Sequence, residues 1–241
     1  MHNHIKFLEN WKSLIFVHCF LFICILLWIS PLTHTVCKQM DSYIFTLLNS
    51  SLIGSTYLQS LFGLFNHRLE TKLNLVFAVI INILAILATH NKNLRKIRLL
   101  QYLYFWACFQ IGFMFQDWIL HTVLHLERLS PSLMIEPAFQ LSEVLNDPNI
   151  KDRSLHSFPS GHAFSMIFWG TFTFLSSPRY IGVTSLMIGI FLSTARLFSG
   201  AHWFSDVAFS SILALCWLTW TLHTPIYQSI KKKQEAVLSL C

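Results

Sequence analysis

An all-α integral membrane protein that crosses the bilayer six times is the fold class predicted for this chain, and two observations carry the prediction. Hydrophobic residues make up 54% of the sequence and charged ones only 12%. The apolar residues also fall in runs too long for the core of a soluble domain. The basic residues outside those runs gather where alternate loops would lie, as in a chain threaded back and forth through a membrane.

Taken in order, the runs predict spans over about 13–32, 73–89, 99–126, 162–176, 181–196 and 206–222, forming one membrane-embedded domain, 1–241, with no soluble module. The first run leads into Trp28-Ile29-Ser30-Pro31-Leu32 with no small-x-small cleavage site, so it is expected to remain as an anchor. Asp41 to Asn66 is apolar but interrupted by Asn49, Ser50, Ser51, Gly54 and Ser55. It reads as an interfacial or re-entrant helix and not as a further span. The stretch from Glu127 to Gly161 is the most polar of the chain, and Pro131, Pro137, Pro148 and Pro159 break it into short pieces. One helical turn or more is expected within 137–146. The fourth and fifth runs are short, as helices beside a buried site can be.

The net charge of +6 is not spread as nucleic-acid binding would require. Lys92, Arg95, Lys96 and Arg98 lie between spans two and three, Arg179 between four and five, and Lys231-Lys232-Lys233 after six. All belong on one side if the spans cross in turn, and the positive-inside rule makes that side cytoplasmic, with both termini. The six cysteines show no CxxC pairing and lie mostly inside spans, so neither a disulfide framework nor a zinc site is expected.

Three short stretches carry the chemistry: Pro159-Ser160-Gly161-His162, then Arg196, then His202 followed by Asp206. Two histidines, an arginine and a carboxylate at the ends of apolar segments suit phosphoryl transfer. Arg196 would hold phosphoryl oxygens through its forked guanidinium. His202 would attack phosphorus, and Asp206, four residues on, would accept a hydrogen bond from its other ring nitrogen. His162 would protonate the leaving oxygen. Ser160 and Gly161 open span four, where backbone N–H groups and the helix dipole favour an anion. Taken singly, each residue has a plain alternative, with Asp206 as a cap and Arg196 as a snorkelling side chain. Their joint spacing favours the site. On the topology above, every one of these residues falls on the extracytoplasmic side, although charge bias and motif are independent signals.

The pattern resembles the type 2 phosphatidic acid phosphatase superfamily, whose signature is K-x6-R-P, P-S-G-H and S-R-x5-H-x3-D. The second part is intact, and the third has Ala195 in place of the leading serine. The first is irregular, with Arg128-Leu129-Ser130-Pro131 splitting the Arg–Pro pair and His121 at the lysine's position. The resemblance makes Arg128 a second phosphate clamp, and Lys151 is the preferred stand-in for the lysine. It also implies a metal-independent enzyme without cofactor, acting on a lipid phosphate or diphosphate. Arg128 to Leu133, Leu141 to Leu145, Lys151-Asp152 and Gly200 to Asp206 look like a bacterial branch that includes lipid A phosphotransferases. That implies a bacterial inner membrane with a periplasmic site, and undecaprenyl diphosphate as donor. Hydrolysis and transfer to lipid A both remain open, as does a non-catalytic lipid-binding protein, which would tolerate His202→Ala.

Asp117, His121 and His125 recur every fourth residue on one face of span three. Ionisable groups inside a span are usually functional. Three ligands fall short of a metal site, and hydrogen-bonded support of the centre is the expected role.

Overall fold

The computed structural model describes residues 10–118, 122 and 128–239. Helices in chain order are α1 (Trp11–Ile29), α2 (Pro31–Ser50), α3 (Thr56–Asn66), α4 (Arg68–Leu87) and α5 (Lys92–Asp117). Two single turns follow, α6 (Pro131–Met134) and α7 (Leu141–Val144), then α8 (Gly161–Ser176), α9 (Arg179–Phe198), α10 (Phe204–His223) and α11 (Pro225–Leu238). Among the described residues the extended pairing is one isolated antiparallel bridge, His67 with Ile150.

Local chemistry sets the boundaries. Pro31 cannot continue α1, so Ser30 turns extended and Pro31 takes the first position of α2. The first apolar run therefore ends at Ile29, before the expected Leu32. The segment expected to be one interfacial helix is two helices, α2 and α3, separated by a turn in which Gly54 has φ +79°. Asn91 accepts from the backbone N–H groups of Asn93 and Leu94 to start α5. The helical turn expected within 137–146 is α7.

Three helices are long and apolar enough to cross a membrane among the described residues: Trp11–Trp28, α9 and α10. Lys72–Leu87 is apolar but shorter, and α8 has 16 residues. The run expected over 99–126 corresponds to α5 as far as Asp117, and His121 and His125 lie outside the described residues.

Helix α8 is the hub, buried from Ala163 to Leu175 on nearly every side and packed against α9, α10 and α5. A helix apolar all round belongs in the middle of a bundle. Phe105 of α5 stacks on Phe172 at 3.7 Å between ring centroids, with Phe168, Tyr102 and Leu218 in the same core. Helices α8 and α9 approach closely where Gly170 meets Gly189. A Cβ on Gly189 would lie 2.6 Å from the Met166 carbonyl oxygen. Around this core, α1 and α4 expose Phe16, Phe20, Ile80 and Leu84, the surface a lipid environment accepts.

The two ends of the bundle differ. At one end Tyr102 bonds Ser177 at 2.6 Å and Gln101 donates to Gln234 at 2.7 Å, joining the start of α5 to the end of α8 and to α11. At the other end the start of α8, the end of α9 and the start of α10 meet beneath the polar 128–160 segment. That end holds the motif residues.

Candidate active site

His202 sits in the turn between α9 and α10. Gly200 makes that turn with φ +78°, and a Cβ there would approach the Phe45 ring at 2.8 Å, so both conformation and space call for glycine. The imidazole is 5% exposed. Its Nδ1 lies 2.6 Å from the carbonyl oxygen of Ser157. A carbonyl can only accept, so Nδ1 carries the proton and Nε2 is the nitrogen left with a lone pair. Ser157 is itself fixed, its N–H donating to the Arg128 carbonyl at 2.7 Å.

This corrects the expected role of Asp206. Its Oδ2 is 4.0 Å from His202 Nδ1, beyond hydrogen-bond reach. Asp206 instead accepts from the backbone N–H of Trp203 at 2.9 Å, closing the first turn of α10, and from Arg128 Nη1 at 2.7 Å. It is thus a cap and an ion-pair partner that contributes its charge, and not a hydrogen bond, to His202.

Arg128 departs from its expectation in the same way. One arm of its guanidinium meets Asp206 and Ser205, and the other meets Asp41 Oδ2 at 2.7 Å. Its carbon lies 4.8 Å from the ring centroids of both Trp28 and Trp203. With both terminal nitrogens engaged, Arg128 does not line the cavity that holds His202 and Arg196. Ser160 also differs. Its N–H donates to Ser210 Oγ at 2.8 Å and its own Oγ accepts from Ala163 N–H, so it caps α8 and its amide is not turned toward an anion.

His162, Arg196, His202, Lys151 and Gly161 do come together. They line one end of a cavity of about 380 Å³, with His156 beside them. The rest of the wall is mainly apolar and aromatic, including Ala78 of α4, Phe105, Phe109 and Phe113 of α5, and Phe168 and Phe172 of α8, with Asn74, Gln110 and Ser165 as polar members. Arg196, 2% exposed at the end of α9, is held by Nη1 donating to the Asn66 carbonyl at 3.2 Å. Asn66 is fully buried, and its side chain bonds Phe62, Ala195 and Ser199.

Burial, then Lys151, then Arg196 pull His202 down to a pKa of about 3, against the opposing bond to Ser157. The imidazole is neutral at physiological pH. Lys151 is exposed over part of its surface, yet its ammonium falls below the ordinary lysine value through loss of water, then Arg196 and Arg68. The polar end is therefore a cationic trap around a neutral histidine. Among the described residues no group of three His, Cys, Asp or Glu side chains could hold a metal ion.

Sequence reading missed Asn66, Asp41, His156 and the Ser157 carbonyl. Asp41 had a signal, being an acid at the head of an apolar segment, and it is 1% exposed. A backbone carbonyl has none.

Three comparisons with known proteins bear on the family and fold of this chain. The chain is 26% identical over 200 residues to the lipid A 1-diphosphate synthase of Escherichia coli (strain K12), covering 83% of this chain and 82% of the relative. In fold it is similar to a solved transmembrane PAP2 type phosphatidylglycerolphosphate phosphatase from Bacillus subtilis. The TM-score is 0.51 at 16% identity, covering 93% of this chain and 96% of the other. The PAP2 superfamily matches residues 103–230, which is more than half of the sequence and takes in His162, Arg196 and His202. By that match the chain belongs to the PAP2 superfamily.

Proposed function

We propose that this protein transfers a phosphoryl group from a membrane lipid phosphate or diphosphate through a phosphohistidine at His202, with undecaprenyl diphosphate as the donor. The carrying observation is a neutral His202, pinned through Nδ1, lining the same cavity as Arg196, Lys151 and His162. Cations gather the phosphoryl oxygens and stabilise charge as it spreads over them. In the first step Nε2 forms the bond to phosphorus while the bond to the leaving oxygen breaks, and His162, which carries a proton once the bound phosphate offsets the charge of Lys151 and Arg196, donates it to that oxygen. In the second, His162 takes a proton from the incoming oxygen as it displaces His202. Lys151 serves in place of the family lysine, and Gly161 lets the α8 backbone approach the phosphate. Asp206 opposes the charge of the phosphorylated ring from 4.0 Å.

The aromatic part of the cavity suits a hydrocarbon chain, with the head group at the polar end. Charge bias supports six spans with this end extracytoplasmic and both termini cytoplasmic, and the bacterial relatives support an inner membrane, which makes this end periplasmic. Water as acceptor makes the protein a phosphatase. Transfer to lipid A is the second reading, favoured by the similarity to a lipid A 1-diphosphate synthase.

Purified protein with labelled undecaprenyl diphosphate, with and without lipid A, tests both readings. Free phosphate in either tube supports hydrolysis, and label on lipid A supports transfer. Acid-labile label on the wild type that is absent from His202→Ala is expected in either case. Activity that survives His202→Ala would falsify the histidine mechanism.

A further inference from the structure

Behind the polar end of the active-site cavity lies a second one, about 600 Å³, lined by Arg68, Lys151, Arg153 and Arg196 together with Ser142, Pro148, Ile150 and Asp152. Lys151 and Arg196 line both cavities, so the two cavities adjoin at these residues. Four cations face a single carboxylate here, and that carboxylate is occupied. Asp152 is 2% exposed and accepts from the Ser142 N–H at 2.7 Å. Arg153 is engaged by Glu143 and Asp152. Among the residues whose side chains are described, the ion pairs at this cavity are those of Arg153, and Arg68 takes part in none of them.

The backbone holds Arg68 in place. Arg68 N–H donates to the Asn149 carbonyl at 2.9 Å and Lys151 N–H donates to the Asn66 carbonyl at 2.8 Å, on either side of the His67–Ile150 bridge. In such a pairing residues two apart share a face, so Arg68 and Lys151 are diagonal neighbours on one side. His67 adds an ion pair to Asp147 at 3.4 Å. Two like charges are thus kept near each other by fixed backbone, and an anion lying between them would be attracted to both.

We propose that this second cavity is an anion subsite for a phosphate group other than the one transferred, with Arg68 as its dedicated ligand. The inference rests on the phosphoryl-transfer reading and deepens it. The bound group is a phosphate monoester or diphosphate oxygen cluster reaching the cavity beside Lys151. It comes either from the retained phosphate of a diphosphate donor or from a phosphorylated head group that accepts the transferred phosphoryl.

The test uses full-length protein in detergent and compares wild type, Arg68→Gln and Arg68→Lys. Binding of inorganic diphosphate, measured by calorimetry in the His202→Ala background, reads the subsite without turnover. Arg68→Gln should weaken it about tenfold, the worth of one charge-assisted contact, and Arg68→Lys should recover part. Steady-state kinetics then separates the sources. A KM rise for farnesyl diphosphate well above that for farnesyl monophosphate identifies the donor's second phosphate. A rise in the KM for lipid A alone identifies the acceptor. Diphosphate binding within about twofold of wild type in Arg68→Gln overturns the subsite, whatever the kinetics show. Activity in His202→Ala overturns the mechanism and leaves the binding result to judge the subsite by itself.

Discussion

The depressed pKa of His202 makes stability depend on pH in a way that one substitution should remove. In the folded protein the imidazole titrates at about 3, against an ordinary value of 6.5. Above pH 6.5 neither state binds the proton, and the neutral ring costs nothing. Between 6.5 and about 3 the unfolded chain takes up a proton that the folded chain refuses, so stability falls as pH falls through that window. From pH 7 to pH 5 the loss integrates to about 2 kcal/mol, or about 5 °C in Tm for a chain of this size. The groups facing the ring are Lys151 and Arg196, which keep their charge across the window, His162, the Ser157 carbonyl, and Asp206 at 4.0 Å.

His202→Gln keeps an N–H for the Ser157 carbonyl and removes the titration. Thermal unfolding in detergent at the two pH values should show a steeper loss for wild type than for the variant. Everything else that titrates is common to both proteins, so the difference between their slopes reports His202. Equal slopes would refute the claim that the ring is buried as a neutral base beside two cations. They would also remove the argument that it is ready to attack at neutral pH without a partner to deprotonate it.

Three further outcomes follow from the packing. Arg128→Leu leaves Asp41 and Asp206, 1% and 0% exposed, as buried charges without their partner. It should cost about 3–5 kcal/mol of unfolding stability, with part restored by adding Asp41→Asn. Gly189→Ala drives a methyl against the Met166 carbonyl oxygen at the α8–α9 crossing, and a Tm measurement should register about 1–3 kcal/mol of strain. Ala78→Phe fills the apolar wall of the active-site cavity. It should raise the KM for a long-chain lipid phosphate about tenfold more than that for a water-soluble short-chain phosphate, by displacing about two methylenes' worth of contact.

Much of the site was legible because its residues stand at boundaries. His162, Arg196 and His202 each lie where an apolar run stops, and antiparallel helices bring alternate boundaries to one end. Helix α8 was legible for the same reason, since Pro159-Ser160-Gly161 is a strong start signal and the run behind it is apolar on all sides. The breaks within the first 66 residues were read less well. Hydropathy runs on through Ser30-Pro31, and the proline that ends α1 also begins α2. The partner of His202 was not legible at all. A four-residue spacing from His202 to Asp206 fits a hydrogen bond only if His202 is helical, and Gly200 instead turns the chain before α10 begins at Phe204. The ring then meets Ser157, 45 residues away, through a carbonyl that any residue could supply.

The Arg128 cluster explains why the centre can carry a carboxylate without repelling its substrate. Asp206 must lie near His202 to steady a positive ring, yet at that distance its charge would also oppose an incoming phosphate. Phosphate would lie beyond Nε2, across the ring from the 4.0 Å approach of Asp206 to Nδ1, and at about 7 Å with an effective dielectric of about 20 the repulsion between unit charges is still about 2 kcal/mol. Arg128 answers this. It binds Asp206 and Asp41, packs against Trp28 and Trp203, and does not line the cavity. The cavity face is left to Lys151 and Arg196. The cations thus divide into one that balances the protein's own acids, Arg128 between Asp41 and Asp206, and two that line the cavity.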